Sequence, residues 1–183
     1  MAETDFQRID IYDIIDSTIR DNASYERSLS NDGSYEAKNP ELFAPNRQVF
    51  LDGVMQSNRH GNEAYHEALV QPAMFAHPNP RRAAIIGGGE CATLREVLKH
   101  KTIEKVKMIE IDEEMVNVSR ESLPDWSDCS DLHGSADWCG DDKRAELFYE
   151  DALAWFMNRF SDDKIDSDEF KEDPFDIIIM DAL

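Results

Sequence analysis

The chain has 183 residues, with 39 acidic and 19 basic side chains and a formal net charge of −20. Such a surface repels the phosphates of nucleic acids and anionic lipids, so it argues against both as partners and favours small cations. Hydrophobic residues make up 41% and charged residues 32%, as in soluble globular proteins. No apolar run is long enough to cross a bilayer, and the acidic start Met1–Asp5 has the features of neither a secretory signal nor a transit peptide. We therefore expect a cytoplasmic protein.

The cysteines indicate no disulfide framework, because Cys91, Cys129 and Cys139 are odd in number. Cys129, His133 and Cys139 lie close together in sequence, which raises a metal site as an alternative. A fourth ligand is missing and the segment is an acidic loop, so we expect no metal.

Residues 1–60 predict a small β region. Residues 6–12 alternate in part between apolar and polar side chains, as in a half-buried strand. Residues 16–45 are polar without a sustained period and are interpreted as a long, mobile insertion. Asp52-Gly53 between apolar residues is a strong hairpin signal.

Residues 61–183 alternate between strand and helix patterns. A helical stretch follows Gly61, in which Ala64, Ala68 and Leu69 can share one face. The predicted strands are the apolar runs 83–86, 106–111, 147–149 and 175–180, and helical patterns follow the first three of them. This alternation predicts an α/β domain with a parallel sheet and helices on both faces.

A nucleoside site is predicted where the first of these strands ends. Gly87, Gly88 and Gly89 lie between that strand and a helix, where glycine lets backbone approach a ligand closely. Glu110 ends the next strand about 20 residues later, the place of an acid that binds ribose hydroxyls. Three glycines alone are compatible with a plain tight turn. The preceding strand, the following helix and the acid together favour a nucleoside-binding site.

Glu90 restricts the kind of nucleotide that fits. A pyrophosphate would lie against this carboxylate and be repelled, which argues against NAD and FAD. A nucleoside that carries a positive group, such as S-adenosylmethionine or its decarboxylated form, is favoured instead.

Further acids lie near the ends of the later strands. Asp112 is placed to cap a helix; Asp151, with Ala152 beside it, is placed either to receive an adenine or to cap the next helix. Asp181 follows the fourth strand, where an ordinary solvated acid is the alternative. The carboxyl ends of parallel strands meet at one edge of a sheet, so these acids are expected to cluster, to suit a polycation and to raise the pKa of one member. The expected cluster is Glu90, Glu110, Asp112, Asp151 and Asp181.

Several short motifs together resemble the polyamine aminopropyltransferases, the family of the spermidine, spermine and thermospermine synthases. The motifs are Leu51-Asp52-Gly53-Val54-Met55-Gln56, Tyr65-His66-Glu67, His77-Pro78-Asn79-Pro80, Gly87 to His100, and Glu110-Ile111-Asp112, in the family's order and spacing. Glu90 resembles the thermospermine-synthase-like and prokaryotic branch. The resemblance implies a small N-terminal β domain on a Rossmann-like, methyltransferase-type domain, which is dimeric or tetrameric when complete.

The resemblance also implies a reaction and a set of residues. An aminopropyl group would pass from decarboxylated S-adenosylmethionine, a co-substrate, to a polyamine, with release of methylthioadenosine and no permanently bound cofactor. Asp181 would be the catalytic base, and Tyr65, His66 and Glu90 would line the channel for the amine and the aminopropyl group. The nucleoside-binding residues would be Gln7, Gly87, Gly88, Gly89, Glu110, Asp112, Asp151 and Ala152.

The sequence departs from the family in two respects. Cys91 replaces a usual glycine, and the Asp-Pro pair that follows the catalytic aspartate in the family does not occur before Leu183. We therefore expect a C-terminally truncated chain with an incomplete sheet and little activity of its own. Two alternatives are an S-adenosylmethionine-dependent methyltransferase, whose cofactor carboxylate Glu90 would repel, and an inactive nucleoside-binding member of the family. The amine acceptor and the product stay open.

Overall fold

The computed structural model describes residues 1–15, 17, 20–21, 44–132, 136–161 and 173–182. Contacts divide the chain into two compact units. The first contains Met1–Glu3 and Gln7–Gly61, and the second contains Thr4–Phe6 and Asn62–Leu183. Most of the insertion predicted at 16–45 lies outside the described residues.

The first unit is a four-stranded antiparallel sheet in the order β1-β2-β3-β4. Its strands are β1 (Ala2–Glu3), β2 (Arg8–Ile14), β3 (Asn46–Leu51) and β4 (Val54–Asn58). Asp52 and Gly53 join β3 to β4, and both have positive φ, at 50° and 82°. Positive φ at both central residues is typical of the two-residue turn that matches strand twist, so the predicted hairpin is confirmed.

The second unit contains a parallel sheet in the order β7-β6-β5-β8. The strands are β5 (Arg82–Gly87), β6 (Lys105–Glu110), β7 (Ala145–Tyr149) and β8 (Ile177–Asp181). The helices are α1 (Asn62–Ala76), α2 (Ala92–Leu98), α3 (Glu113–Ser122) and α4 (Ala152–Phe160), with short 3-10 helices at Pro124–Trp126 and Cys139–Asp141. The predicted α/β class is confirmed. Within the described ranges, none of the helices is both long and apolar enough to span a bilayer.

The core lies on both faces of the parallel sheet. Strand β5 is internal, and its residues Ala83, Ala84 and Ile85 are all fully buried. Ile85 belongs to a cluster with residues of α1 and α2, whereas Ala84 packs in a second cluster with Trp155 of α4. Burial on both faces explains why this strand has a continuous apolar run rather than an alternating pattern.

Helix α1 buries a different face from the one suggested by its alanines. Ala64 and Ala68 are exposed and Leu69 is only half-buried. The residues that the helix buries are Asn62, His66, Val70 and Met74. This face has the four-residue spacing of a buried stripe, but its first two members are polar, so an apolar pattern could not reveal it.

The prediction that the cysteines form no disulfide is wrong. Cys129 and Cys139 are disulfide-bonded, with Cα atoms 5.0 Å apart, and both side chains are fully buried. A β-bridge between Asp128 and Trp138 folds the segment back on itself and brings the two cysteines together. Sulfurs bonded to each other do not serve as thiolate ligands, and His133, the third residue of the metal site considered above, lies outside the described residues.

Candidate active site

The glycine turn after β5 is held against the end of β8. Gly87 pairs with Asp181 in the parallel register, and the Gly88 N–H donates to the Asp181 carbonyl oxygen at 3.1 Å. Gly87 and Gly88 have φ of 80° and 86°, and a Cβ at Gly87 would lie 2.5 Å from that carbonyl oxygen. Glycine is therefore required at position 87 both by the turn and by the neighbouring strand.

Gly87→Ala is expected to lower the free energy of unfolding more than Gly53→Ala does. The two glycines have almost the same φ, 80° and 82°, so both substitutions carry a backbone cost of about 1–2 kcal/mol. Only at Gly87 does the new methyl group meet backbone, since nothing lies within 4 Å of a Cβ at Gly53. We expect a further loss of about 1–3 kcal/mol at Gly87, measured by urea unfolding and circular dichroism. Equal losses would contradict the close contact between the turn and β8.

Gly89 leaves space for the carboxylate of Glu110. A Cβ at Gly89 would lie 2.7 Å from Met115 Cγ and 3.2 Å from Glu110 Oε2. The Asp112 N–H donates to Glu110 Oε1 at 3.0 Å, and the N–H groups of Ile111 and Gly89 also hydrogen-bond to this carboxylate. Burial raises the pKa of Glu110 and the charge of Asp112 adds to the rise, while the three backbone donors oppose it. Burial therefore raises the pKa of Glu110 more than repulsion from the other acids of the cluster does.

Asp112 and Asp151 both cap helices, as their positions in the sequence predicted. Asp112, almost fully buried, accepts a hydrogen bond from the Met115 N–H at 3.2 Å at the start of α3. Asp151, which is exposed, accepts one from the Ala154 N–H at 2.7 Å at the start of α4. Capping uses Oδ1 of each carboxylate, and Oδ2 of Asp112 accepts the Thr4 hydroxyl at 2.7 Å.

Gln7 and Ala152 complete the predicted nucleoside-binding set. Ala152 is the first residue of α4, just beyond the carboxyl end of β7, and is half-buried. Gln7 directly precedes β2 in the first unit and is also half-buried. The contacts of both residues with a nucleoside stay predictions.

His66 lies between the start of α1 and Glu90. Its Nδ1 is 2.6 Å from the Asn62 carbonyl oxygen, which can only accept, so Nδ1 carries the proton. Its Nε2 is 3.9 Å from Glu90 Oε2. Burial lowers the pKa of His66, although the Asn62 carbonyl and the charge of Asp181 oppose that change. At neutral pH the ring is therefore uncharged, with an acceptor nitrogen on the side of Glu90.

Tyr65 lies beside this ring, in a T-shaped arrangement with 4.9 Å between the ring centroids. Burial raises the pKa of Tyr65, and the charges of Asp181 and Glu90 raise it further. Its side chain is nevertheless 52% exposed. The structure thus brings together Tyr65, His66, Glu90 and Asp181, the four residues predicted for the amine channel and the base.

Cys91 closes the turn in a left-handed conformation. Its φ is 60°, and its N–H donates to the Gly88 carbonyl oxygen at 2.7 Å. Glycine adopts this conformation more readily, so the substitution noted in the sequence carries a backbone cost. Burial raises the pKa of the Cys91 thiol to about 12, so the sulfur is protonated and a poor nucleophile at neutral pH.

Sequence reasoning missed two buried residues of α2. The Thr93 hydroxyl donates to Asp181 Oδ2 at 2.6 Å. The Arg95 guanidinium donates to Asn62 Oδ1 at 3.2 Å and to the carbonyl oxygens of residues 125 and 126 at 3.1 and 2.8 Å. Their partners are distant in sequence, so the only available signal was an arginine within a short and otherwise largely apolar helix.

The arrangement defines the class of protein. A parallel sheet whose internal strand leads into a glycine turn, with a buried acid at the end of the neighbouring strand, is typical of Rossmann-like folds. The chain belongs to the Spermine/spermidine synthase domain family, which matches residues 62–183. The resemblance to the polyamine aminopropyltransferases is therefore confirmed.

Individual relatives agree with this assignment. Polyamine aminopropyltransferase 1 of Hyperthermus butylicus is 45% identical over 135 residues, which are 74% of this chain and 40% of that protein. Polyamine aminopropyltransferase 2 of Pseudomonas aeruginosa is 40% identical over 139 residues, which are 75% of this chain and 33% of that protein. The chain therefore spans less than half the length of these relatives.

Two solved structures are similar to this fold. The crystal structure of spermidine synthase from Thermotoga maritima matches with a TM-score of 0.66 and 28% identity, over 99% of this chain and 46% of that one. A spermidine synthase in complex with the transition state analogue AdoDATO matches with a TM-score of 0.59 and 33% identity, over 75% of this chain and 39% of that one.

Proposed function

We propose that this chain carries out, or forms part of a protein that carries out, aminopropyl transfer from decarboxylated S-adenosylmethionine to an amine of a polyamine. The observation that carries the proposal is the position of His66 Nε2 3.9 Å from Glu90 Oε2, with Tyr65 beside the ring and the charge of Asp181 raising the pKa of Tyr65 and opposing the fall in the pKa of His66. The membership of an aminopropyltransferase family supports the same reaction. Methylthioadenosine is the second product.

Glu110 is the proposed ribose ligand. Its carboxylate is 8% exposed and already accepts backbone hydrogen bonds, which hold it in one orientation at the end of β6. A carboxylate fixed in this way accepts hydrogen bonds from two adjacent hydroxyl groups without further ordering. Asp151 and Ala152 are the proposed adenine contacts, since they follow the neighbouring strand β7.

His66 and Glu90 are proposed to hold the amine side of the substrates. An ammonium group offers three N–H donors, the neutral His66 ring offers an acceptor at Nε2, and Glu90 supplies negative charge 3.9 Å away. Tyr65 contributes an aromatic face next to His66, a surface that favours cations and alkyl chains. These groups bind a polyamine at one end while the other end reacts.

Asp181 is proposed as the base. The attacking nitrogen forms a bond to the aminopropyl carbon next to sulfur, the carbon–sulfur bond breaks, and its electron pair stays on the sulfur of methylthioadenosine. The nitrogen proton passes to a carboxylate oxygen of Asp181. Since a protonated amine has no lone pair for attack, a base at this position raises the reactive fraction. Alignment of nitrogen, carbon and sulfur supplies much of the remaining acceleration.

The test is to incubate the purified chain with decarboxylated S-adenosylmethionine and a panel of amines, with mass spectrometry of both products. Release of methylthioadenosine that depends on an amine, together with the matching aminopropylated product, is the expected result. Tighter binding of S-adenosylmethionine than of methylthioadenosine, without transfer, would favour a methyltransferase instead. Folded chain that binds nucleoside but releases no product would contradict activity of this chain by itself.

The pH dependence of nucleoside binding tests Glu110. The pKa of Glu110 is raised above its ordinary value of 4.5, so on acidification it gains a proton at a higher pH than an ordinary glutamate does. The proton removes an acceptor for the ribose, so the affinity for methylthioadenosine is expected to fall from that higher pH downwards. Glu110→Gln does not titrate, and it should lose this dependence together with about tenfold in affinity. Calorimetric titrations that show the same acidic fall in both proteins would contradict the role.

The branch of the family, the location and the oligomeric state are parts of the same proposal. Glu90 supports the thermospermine-synthase-like branch, and the panel of amines identifies the acceptor and the product. We propose a cytoplasmic location, which the membership of this family supports. We also propose a dimer or tetramer for the complete protein, which sedimentation would measure.

A further inference from the structure

We propose that Thr93 is a positioning residue that fixes the orientation of the Asp181 carboxylate for proton transfer. The inference rests on the aminopropyl transfer proposed above. It gives a role to a residue that lies within the motif Gly87 to His100 but was not part of the predicted site.

The hydrogen bond to Asp181 Oδ2 occupies the only proton of the Thr93 hydroxyl. The distance is 2.6 Å, within the range of strong bonds from a hydroxyl to a carboxylate. Thr93 is fully buried as the second residue of α2, so water does not compete for this contact. The threonine is therefore a fixed donor rather than a mobile surface hydroxyl.

The main chain of Asp181 is held independently of its side chain. Its carbonyl oxygen accepts the Gly88 N–H at 3.1 Å, and its register with Gly87 fixes it at the end of β8. With the backbone held and Oδ2 bonded to Thr93, rotation of the carboxylate is restricted. Oδ1 is then the oxygen oriented to take the amine proton.

The position of the Asp181 carboxylate agrees with the place proposed for the amine. The Asp181 charge acts on both Tyr65 and His66, so the carboxylate lies on the side of α1 where the amine is proposed to bind. Oδ2 lies 3.3 Å from the position of a Cβ at Gly88, which places this oxygen over the glycine turn. One oxygen thus contacts α2 and the turn while the other is available to the substrate.

The experiment compares Thr93→Val with Thr93→Ser in the full chain. Valine has nearly the same shape but no hydroxyl, whereas serine keeps the donor. We expect Thr93→Val to lower kcat for aminopropyl transfer about tenfold to a hundredfold, with the Kd for methylthioadenosine unchanged. Thr93→Ser should stay within about threefold of the parent chain. An unchanged kcat in Thr93→Val, or an equal loss in both variants, would overturn the proposal.

A second measurement does not depend on turnover. In protein labelled with ¹³C at the aspartate carboxyl carbons, the Asp181 signal is identified by its disappearance in Asp181→Asn. We expect this signal to move in Thr93→Val and to stay in place in Thr93→Ser. If the parent chain shows no transfer, the proposed function fails for this chain while the carbon signal still decides whether Thr93 holds Asp181. A signal that does not move in Thr93→Val would overturn the proposal.

Discussion

Asp181→Asn is expected to lower amine-dependent release of methylthioadenosine by about 10²- to 10⁴-fold, the range over which a positioned base acts. Asparagine has the same size and keeps an oxygen that accepts the Thr93 hydroxyl, but its amide does not take a proton at neutral pH. The nucleoside contacts are proposed for other residues, so the Kd for methylthioadenosine should change little. The measurement combines turnover by mass spectrometry with calorimetric binding.

The matched control is Asp173→Asn. Asp173 lies four residues before β8, is 78% exposed and pairs with Arg82 at 3.3 Å. Replacement of this carboxylate by an amide should leave kcat within about twofold of the parent chain. An ion pair with an exposed partner contributes little to stability. A loss of kcat shared by both variants would point to folding rather than proton transfer. Full activity in Asp181→Asn would contradict the proposed base.

Arg95→Met is expected to lower the free energy of unfolding in urea by about 3 kcal/mol. Arg95 is 7% exposed and lies 3.1 Å from the carboxylate of Glu96, which is fully buried. The substitution removes one of the donors to this buried carboxylate and the Arg95 contacts with two carbonyl oxygens that precede the disulfide segment. Lys99 retains its contact with Glu96 at 2.7 Å, so the loss should lie at the lower end of the range for a broken buried pair.

Arg81→Met provides the comparison. Arg81 pairs with Glu104, and both side chains are 57% exposed. An exposed pair of this kind contributes about 0–1 kcal/mol, so the two arginine variants should differ severalfold in their destabilisation. Equal effects would show that burial of Arg95 is not what makes its ion pair important.

Features set by neighbouring residues could be predicted from the sequence. The Asp52-Gly53 hairpin depends on the φ values of two residues, and the Asp112 cap depends on a contact three residues away. The glycine turn and Glu110 are likewise read from a strand, a turn and the strand that follows. Local chemistry determined these elements, so local patterns were sufficient.

Features set by distant contacts could not be predicted in the same way. Thr93 meets Asp181 across 88 residues of sequence, and Arg95 meets Asn62 across 33. The disulfide depends on a β-bridge inside a segment that has no regular apolar pattern. In each case the three-dimensional course of the chain, which propensity does not encode, decides the partner.

The buried disulfide provides a kinetic probe of the native protein. Both sulfurs of Cys129 and Cys139 are fully inaccessible, so a small thiol reductant attacks only after the surrounding residues have separated. Because reclosing outpaces attack by a dilute reductant, the rate of reduction in dilute dithiothreitol follows the fraction of molecules in which the disulfide is exposed. The disulfide thus reports opening of the native structure around it without any added label.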